Sequence, residues 1–102
     1  MIQRISPEEA KGIIDSVMFH NLIDVREPDE YYEGHIPGAK LFPLSVLELV
    51  CEEKIVNKDI PLLVYCQSGR RSAKAAVLLN KLGYKDVRDF GGFNDWPYDI
   101  EK

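Results

Sequence analysis

Residues 64–72 of the chain read Val64-Tyr65-Cys66-Gln67-Ser68-Gly69-Arg70-Arg71-Ser72. The apolar run of residues 60–65 that leads into Cys66 is typical of a short buried strand. From about Arg71 onward, apolar residues recur at helical spacing, and Gly83 is a typical helix terminator. The stretch therefore predicts a strand, a tight polar turn that contains Cys66, and a helix.

The predicted turn places Cys66 at the N-terminus of a helix. Backbone N–H groups there have no partner within the helix and favour a negative charge. Arg70 and Arg71 add two cations, so we expect a reactive thiolate on Cys66 and a loop that receives an anion. The alternative is a cysteine that only fills the core, but such a residue needs no glycine and no arginine pair after it.

Composition and charge exclude several classes of protein. The 102 residues are 45% hydrophobic and 29% charged, which predicts one soluble globular domain spanning residues 1–102. A net charge of −4 disfavours nucleic acids and anionic membranes as partners. We find no membrane-spanning run and no signal peptide, and therefore expect a cytoplasmic protein. Two cysteines and two histidines at unsuitable spacing predict no metal site, and we expect no other cofactor.

Strand-like and helix-like segments alternate along the chain, which predicts an α/β domain with a mainly parallel sheet. Apart from the pair around Cys66, strands are predicted at residues 21–26, 40–42 and 86–90, and helices begin near residues 7, 28 and 44. The first helix has the clearest start, because Ser6-Pro7-Glu8-Glu9 combines a serine cap, a proline and a glutamate three residues after the serine.

Apolar stripes indicate which helix faces meet the core. The stripe of the first helix consists of Ala10, Ile13, Ile14 and Val17, and that of the helix at 44–50 consists of Val46, Leu47, Leu49 and Val50. Cys51 falls at the end of the second of these helices. We interpret it as a core or surface bystander, with a resolving thiol for Cys66 as the alternative.

Four separated segments carry further information. They are Asp24-Val25-Arg26-Glu27-Pro28, Gly34-His35-Ile36-Pro37-Gly38-Ala39, the loop 66–72 with its helix, and Gly91-Gly92-Phe93 with Trp96. In this order and spacing they make the chain resemble the rhodanese family, the single-domain sulfurtransferases, over nearly its full length. The resemblance implies a three-layer rhodanese-like α/β domain of about five mainly parallel strands flanked by helices, with the cysteine loop at the carboxyl ends of the strands.

The resemblance also implies an activity. Cys66 would take the sulfane sulfur of thiosulfate or of a persulfide donor, hold it as a persulfide, and pass it to cyanide or a thiol. The implied partners are a small anionic sulfur donor and a small or protein thiol acceptor. Because the short chain has little loop material to cover its site, we expect an open site that a protein acceptor can reach.

The resemblance assigns roles around Cys66. The substrate-binding residues are expected to be Gln67, Ser68, Gly69, Arg70, Arg71 and Ser72, through their backbone N–H groups and the two guanidinium groups. Arg71 is expected to brace the loop or the developing charge, and Arg70 to steer anionic donors at the mouth. Asp24 and Arg26 are expected to support the site, Asp24 through bonds to loop groups, with an ordinary ion pair as the alternative.

Two other functions remain open. A phosphatase or arsenate reductase of related fold also uses a cysteine in an anion-binding loop, but that loop is one residue longer. Here only four residues separate Cys66 from Arg71, which suits a sulfur atom better than a phosphate. The second alternative is a catalytically silent rhodanese module used for binding or regulation. Such modules often lack the cysteine, which this chain retains.

Overall fold

A computed structural model describes residues 2–16 and 18–102 of the chain. Its strands are β1 (Ile2–Arg4), β2 (Asn21–Asp24), β3 (Lys40–Leu41), β4 (Leu62–Cys66) and β5 (Val87–Gly92). Its helices are α1 (Pro7–Asp15), α2 (Pro28–Glu33), α3 (Leu44–Lys54) and α4 (Arg70–Lys81). The five strands form one sheet in the order β1-β5-β4-β2-β3, and every pairing is parallel. The expected α/β class is confirmed.

Helices cover both faces of the sheet and give three layers. On one face, α3 and α4 pack on alternate strand residues, and Leu47 and Leu79 are among the buried contacts. On the other face, α1 contributes buried Ala10, and Tyr31 of α2 packs at the margin of the same cluster. Parallel strands buried on both faces explain why the central strand reads as a continuous apolar run.

Strand β4 lies at the centre of the sheet, between β5 and β2. All five of its residues are buried. Because Cys66 is the last residue of this strand, the fold places the thiol at the carboxyl edge of the sheet. Ligand sites of open parallel sheets lie at that edge.

The start of α1 confirms the capping box that the sequence predicted. The Ser6 Oγ accepts from the Glu9 N–H and the Glu9 Oε1 accepts from the Ser6 N–H, both at 3.0 Å. Ala10 is buried and Ile13 and Ile14 are half-buried, whereas Val17 of the predicted stripe lies outside the described residues.

Two predicted features differ from the structure. Strand β1 was not predicted, because its three residues, Ile2-Gln3-Arg4, are all exposed and contain no apolar run. Helix α3 runs on to Lys54 rather than ending near residue 50, and two residues of its predicted apolar stripe, Val46 and Leu49, are 38% and 80% exposed. The core face of α3 includes Leu47 of the predicted stripe and adds Cys51, because four residues make just over one helical turn.

No helix within the described ranges has the length and apolar character needed to cross a bilayer.

The carboxyl end of β5 approaches the cysteine loop very closely. A Cβ atom built on Gly92 would lie 2.4 Å from the backbone oxygen of Gln67 and 2.9 Å from the carbonyl carbon of Ser68. Because both neighbours are backbone atoms, they cannot turn aside as a flexible side chain would. Only glycine lets β5 hold the cysteine loop at this distance.

Replacing Gly92 by alanine should therefore push the loop away from β5. We expect Gly92→Ala to lower the free energy of unfolding by about 1–3 kcal/mol, as overpacking does elsewhere, measured by urea denaturation. The control is Gly12→Ala, since nothing lies within 4 Å of a Cβ at that helical position. It should raise stability by about 0.5–1 kcal/mol. Equal stability of Gly92→Ala and the parent protein would contradict the close approach.

Candidate active site

The Cys66 sulfur lies against the amino end of α4. Its Sγ accepts a hydrogen bond from the Gly69 N–H, with 3.0 Å between nitrogen and sulfur. Gly69 caps the helix with a left-handed φ of +99°, a conformation that favours glycine. The first bond of α4 runs from the Ala73 N–H to the Gly69 oxygen at 3.2 Å, so the N–H groups of residues 70–72 have no acceptor within the helix. This geometry offers a negatively charged sulfur several donors.

The thiol is enclosed, which corrects the expectation of an open site. Cys66 is 0% exposed. The physical reason is the tight turn at Gly69, which folds the chain back to hydrogen-bonding distance of the sulfur, so that even a short loop shields it.

Arg71 is held by a carboxylate from another helix. Its Nη1 and Nη2 donate to Oε1 and Oε2 of Glu30 in α2, at 2.7 and 2.8 Å. The hydrogen bonds from Arg71 lower the pKa of Glu30 from 4.5 to about 2, and those to Glu30 raise the pKa of Arg71. This two-pronged pair braces the cysteine loop against α2, which is one of the two roles expected for Arg71.

Arg70 is exposed and free. Among the residues that the structure describes, no carboxylate forms an ion pair with its guanidinium group. Ser68 is also exposed at the surface of the loop. These two side chains therefore face the solution.

Asp24 and Arg26 form a buried pair, 0% and 2% exposed. The Arg26 Nε and Nη2 donate to the Asp24 carboxylate at 2.7–3.0 Å, and the Arg26 backbone N–H donates to the same group at 2.9 Å. The Asp24 carboxylate thus binds Arg26, and this is the ion pair given above as the alternative to bonds with loop groups. A guanidinium group removed from water needs a buried carboxylate next to it. Asp24, two residues before Arg26, is buried, whereas the adjacent Glu27 is exposed.

Arg26 is the member of the pair that contacts the loop. Its Nη1 donates to the Gln67 Oε1 at 2.8 Å, and its Nη2 also donates to the Gly34 oxygen at 2.7 Å. Burial opposes the charge on Arg26, but the hydrogen bonds and the Coulomb attraction to Asp24 outweigh it and raise the pKa of Arg26. The cation therefore stays charged inside the protein.

The side chains of two predicted substrate-binding residues are occupied by the protein itself. The Gln67 Nε2 donates to the Asn94 Oδ1 at 2.6 Å. The Ser72 Oγ donates to the Asp89 Oδ1 at 2.8 Å, and the same oxygen accepts from the Gly91 N–H at 2.9 Å. The side chains of Gln67 and Ser72 thus stabilise the conformation of the loop. Only the backbone N–H groups of these two residues remain to bind an anion.

Three supporting residues were absent from the sequence analysis: Glu30, Asp89 and Asn94. Their contacts with the loop join residues 41, 17 and 27 positions apart. No local pattern reports such pairs. Only Glu30 carried a usable signal, since it lies three residues after the cap of a helix that begins with proline and is an acidic complement to Arg71.

A cavity of about 190 Å³ adjoins the loop, lined by Arg26, Glu30, Glu33, Gly34, Gln67 and Phe93. The Phe93 ring lies 4.5 Å from the Arg26 guanidinium carbon and forms one wall. This cavity gives a small molecule a position next to the cysteine loop.

Cys51 is not part of this site. It lies within α3, is 0% exposed, and its backbone oxygen accepts from the Tyr84 hydroxyl at 3.2 Å. Burial raises the pKa of its thiol, which disfavours the thiolate that a resolving cysteine would need.

Comparison with known proteins identifies the family. Residues 6–98 match the model of the rhodanese-like domain. The chain is 40% identical, over 93% of its length, to YrkF of Bacillus subtilis (strain 168), a proposed sulfur carrier protein, and spans 51% of that protein. It is 36% identical, over 72% of its length and 70% of the relative, to the thiosulfate sulfurtransferase PspE of Escherichia coli (strain K12).

A solved structure supports the same assignment. A rhodanese from E. coli with bound anions superposes with a TM-score of 0.77 at 32% identity, covering 82% of this chain and 99% of that one. The resemblance drawn from the four sequence segments is confirmed.

The ion pair of Glu30 and Arg71 predicts a dependence of stability on pH. The pKa of Glu30 is lower in the folded state than in the unfolded chain. The pair therefore contributes fully to the free energy of unfolding above pH 4.5, and this contribution is lost as the pH falls towards 2. We expect Glu30→Gln to lower the free energy of unfolding by about 1 kcal/mol near neutral pH, since partial exposure screens the pair. The difference between Glu30→Gln and the parent should shrink as the pH falls through this range.

Urea denaturation at several pH values measures this difference. The matched control is Glu33→Gln, which removes an exposed carboxylate from the same helix. A Glu30→Gln effect that is the same at every pH, or that is matched by Glu33→Gln, would contradict the role of the pair.

Proposed function

Since the chain belongs to the rhodanese-like domain family, we propose that it is a sulfurtransferase that carries a sulfane sulfur as a persulfide on Cys66. The observation that carries this proposal is the hydrogen bond from the Gly69 N–H to the Cys66 Sγ at the amino end of α4. A sulfur held by that amide is stabilised as an anion, and an anionic sulfur is the nucleophile that sulfur transfer requires.

The reaction proceeds in two displacements. The Cys66 thiolate attacks the outer sulfur of thiosulfate, a bond forms between the two sulfur atoms, and sulfite leaves with the electron pair of the broken S–S bond. An acceptor such as cyanide or a thiolate then attacks the outer persulfide sulfur and returns the Cys66 thiolate. Neither step needs a proton from the enzyme, so the absence of a histidine from the loop agrees with this chemistry.

The backbone of the loop is suited to the charges that develop in these steps. The N–H groups of residues 70–72 have no helical acceptor and can bind the anionic donor and the persulfide. Arg71 stays on Glu30 and keeps the loop rigid. Arg70 is exposed, forms no ion pair with any residue that the structure describes, and attracts an anionic donor.

The relatives support the class of donor. PspE is named a thiosulfate sulfurtransferase and YrkF a proposed sulfur carrier protein, and both descriptions agree with a persulfide on this chain. We propose thiosulfate or a persulfide as donor, and a small or protein thiol as acceptor.

Intact mass tests the proposal directly. After incubation with thiosulfate and desalting, we expect a gain of one sulfur atom that cyanide reverses. The gain should be absent from Cys66→Ser and present in Cys51→Ser, which removes the other thiol. No gain with thiosulfate or with an organic persulfide would contradict the proposal and favour a silent binding module.

Arg70 should act on donor capture rather than on chemistry. We expect Arg70→Ala to raise KM for thiosulfate several-fold with little change in kcat, because the arginine attracts the dianion without contacting the sulfur. The control is Lys81→Ala, which removes one positive charge from the far end of α4. Unchanged KM in Arg70→Ala, or an equal rise in Lys81→Ala, would remove Arg70 from the site.

A further inference from the structure

A second cavity lies away from the cysteine loop and takes no part in the proposed reaction. Its volume is about 250 Å³. It is lined by His20, Asn21, Leu22, Ile23, Gly38, Lys40, Phe42, Lys54 and Ile55. Asn21 begins β2 and pairs with Leu62, the first residue of β4, whereas Cys66 is the last. At about 3.3 Å per residue, Asn21 and the thiol lie roughly 13 Å apart along the sheet.

The cavity is positively charged. Lys40 of the edge strand β3 and Lys54 at the end of α3 both line it, and none of its lining residues is acidic. Neither lysine forms an ion pair with any residue that the structure describes. The chain as a whole carries a net charge of −4, so two unpaired cations at one cavity run against the overall charge.

Polar and apolar groups at the cavity complement each other. The His20 Nδ1 lies 2.9 Å from the Met18 oxygen, which can only accept, so Nδ1 carries the hydrogen of this bond. Asn21 adds a side-chain amide. The floor is apolar and includes Ile23, Phe42 and Ile55, each less than one-tenth exposed. The lining thus combines cations and an amide with an apolar surface.

We propose that this cavity binds a small organic oxyanion, a carboxylate, sulfonate or phosphate that carries an apolar group. The oxyanion contacts Lys40 and Lys54, and the apolar group covers the floor. A lysine on an edge strand can also serve only to prevent strand pairing. Preventing strand pairing requires neither the second lysine nor an apolar floor, so binding experiments distinguish that role from ligand binding.

Titration of the ¹⁵N-labelled Cys66→Ser protein with benzenesulfonate tests the proposal, with amide shifts as the readout. We expect saturable shifts at residues 20–23, 38–42 and 54–55. Sulfate, which lacks the apolar group, and benzyl alcohol, which lacks the charge, should both bind more weakly. The double variant Lys40→Ala/Lys54→Ala should weaken benzenesulfonate binding about tenfold, whereas Lys81→Ala should change it by less than about twofold.

Several results would overturn the inference. They are shifts confined to residues 66–72, equal binding of benzyl alcohol, and equal weakening by Lys81→Ala. Both cavity lysines are exposed, so the variants should keep the dispersed spectrum of the folded chain. Because the titrated protein lacks the Cys66 thiol, the result of the titration does not depend on sulfur transfer. The proposed oxyanion site and the proposed sulfurtransferase activity can therefore fail independently.

Discussion

The buried guanidinium group of Arg26 connects the segments that surround the cysteine loop. It binds Asp24 at the end of β2, the Gly34 oxygen at the end of α2, and the Gln67 side chain in the loop. Because the cation is 2% exposed, each of these acceptors replaces water that it has lost. Loss of Asp24 or Arg26 would leave the other charge buried and unpaired, a cost of about 3–5 kcal/mol. This cation therefore links the loop to β2 and to α2.

Around this cation, the loop is held from three further directions. Glu30 binds Arg71 from α2, Asp89 binds Ser72 from β5, and the Gly92 backbone lies against the Gln67 carbonyl. Rigid support of this kind keeps backbone N–H groups in place for a charge before that charge appears, which is how preorganised sites stabilise anions. It also explains why so few loop side chains are free to touch a substrate.

Local patterns in the sequence predicted the structural features that depend on residues close together in the chain. The strand before Cys66, the helix after it, and the capping box at Ser6 and Glu9 follow from spacing and composition. Strand β1 was missed because its exposed residues show no apolar pattern, and the enclosure of Cys66 was missed because it depends on the turn at Gly69. The braces from Glu30 and Asp89 join distant parts of the chain. Such contacts become visible only in three dimensions.

The central claim is that sulfur passes through a covalent form of the enzyme on Cys66. Initial rates measured over a grid of thiosulfate and cyanide concentrations test it most directly. The account predicts parallel lines in double-reciprocal plots, since sulfite leaves before cyanide reacts, and no turnover by Cys66→Ser. Intersecting lines would show that both substrates must be bound at the same time. Intersecting lines combined with turnover by Cys66→Ser would contradict a covalent form of the enzyme on Cys66.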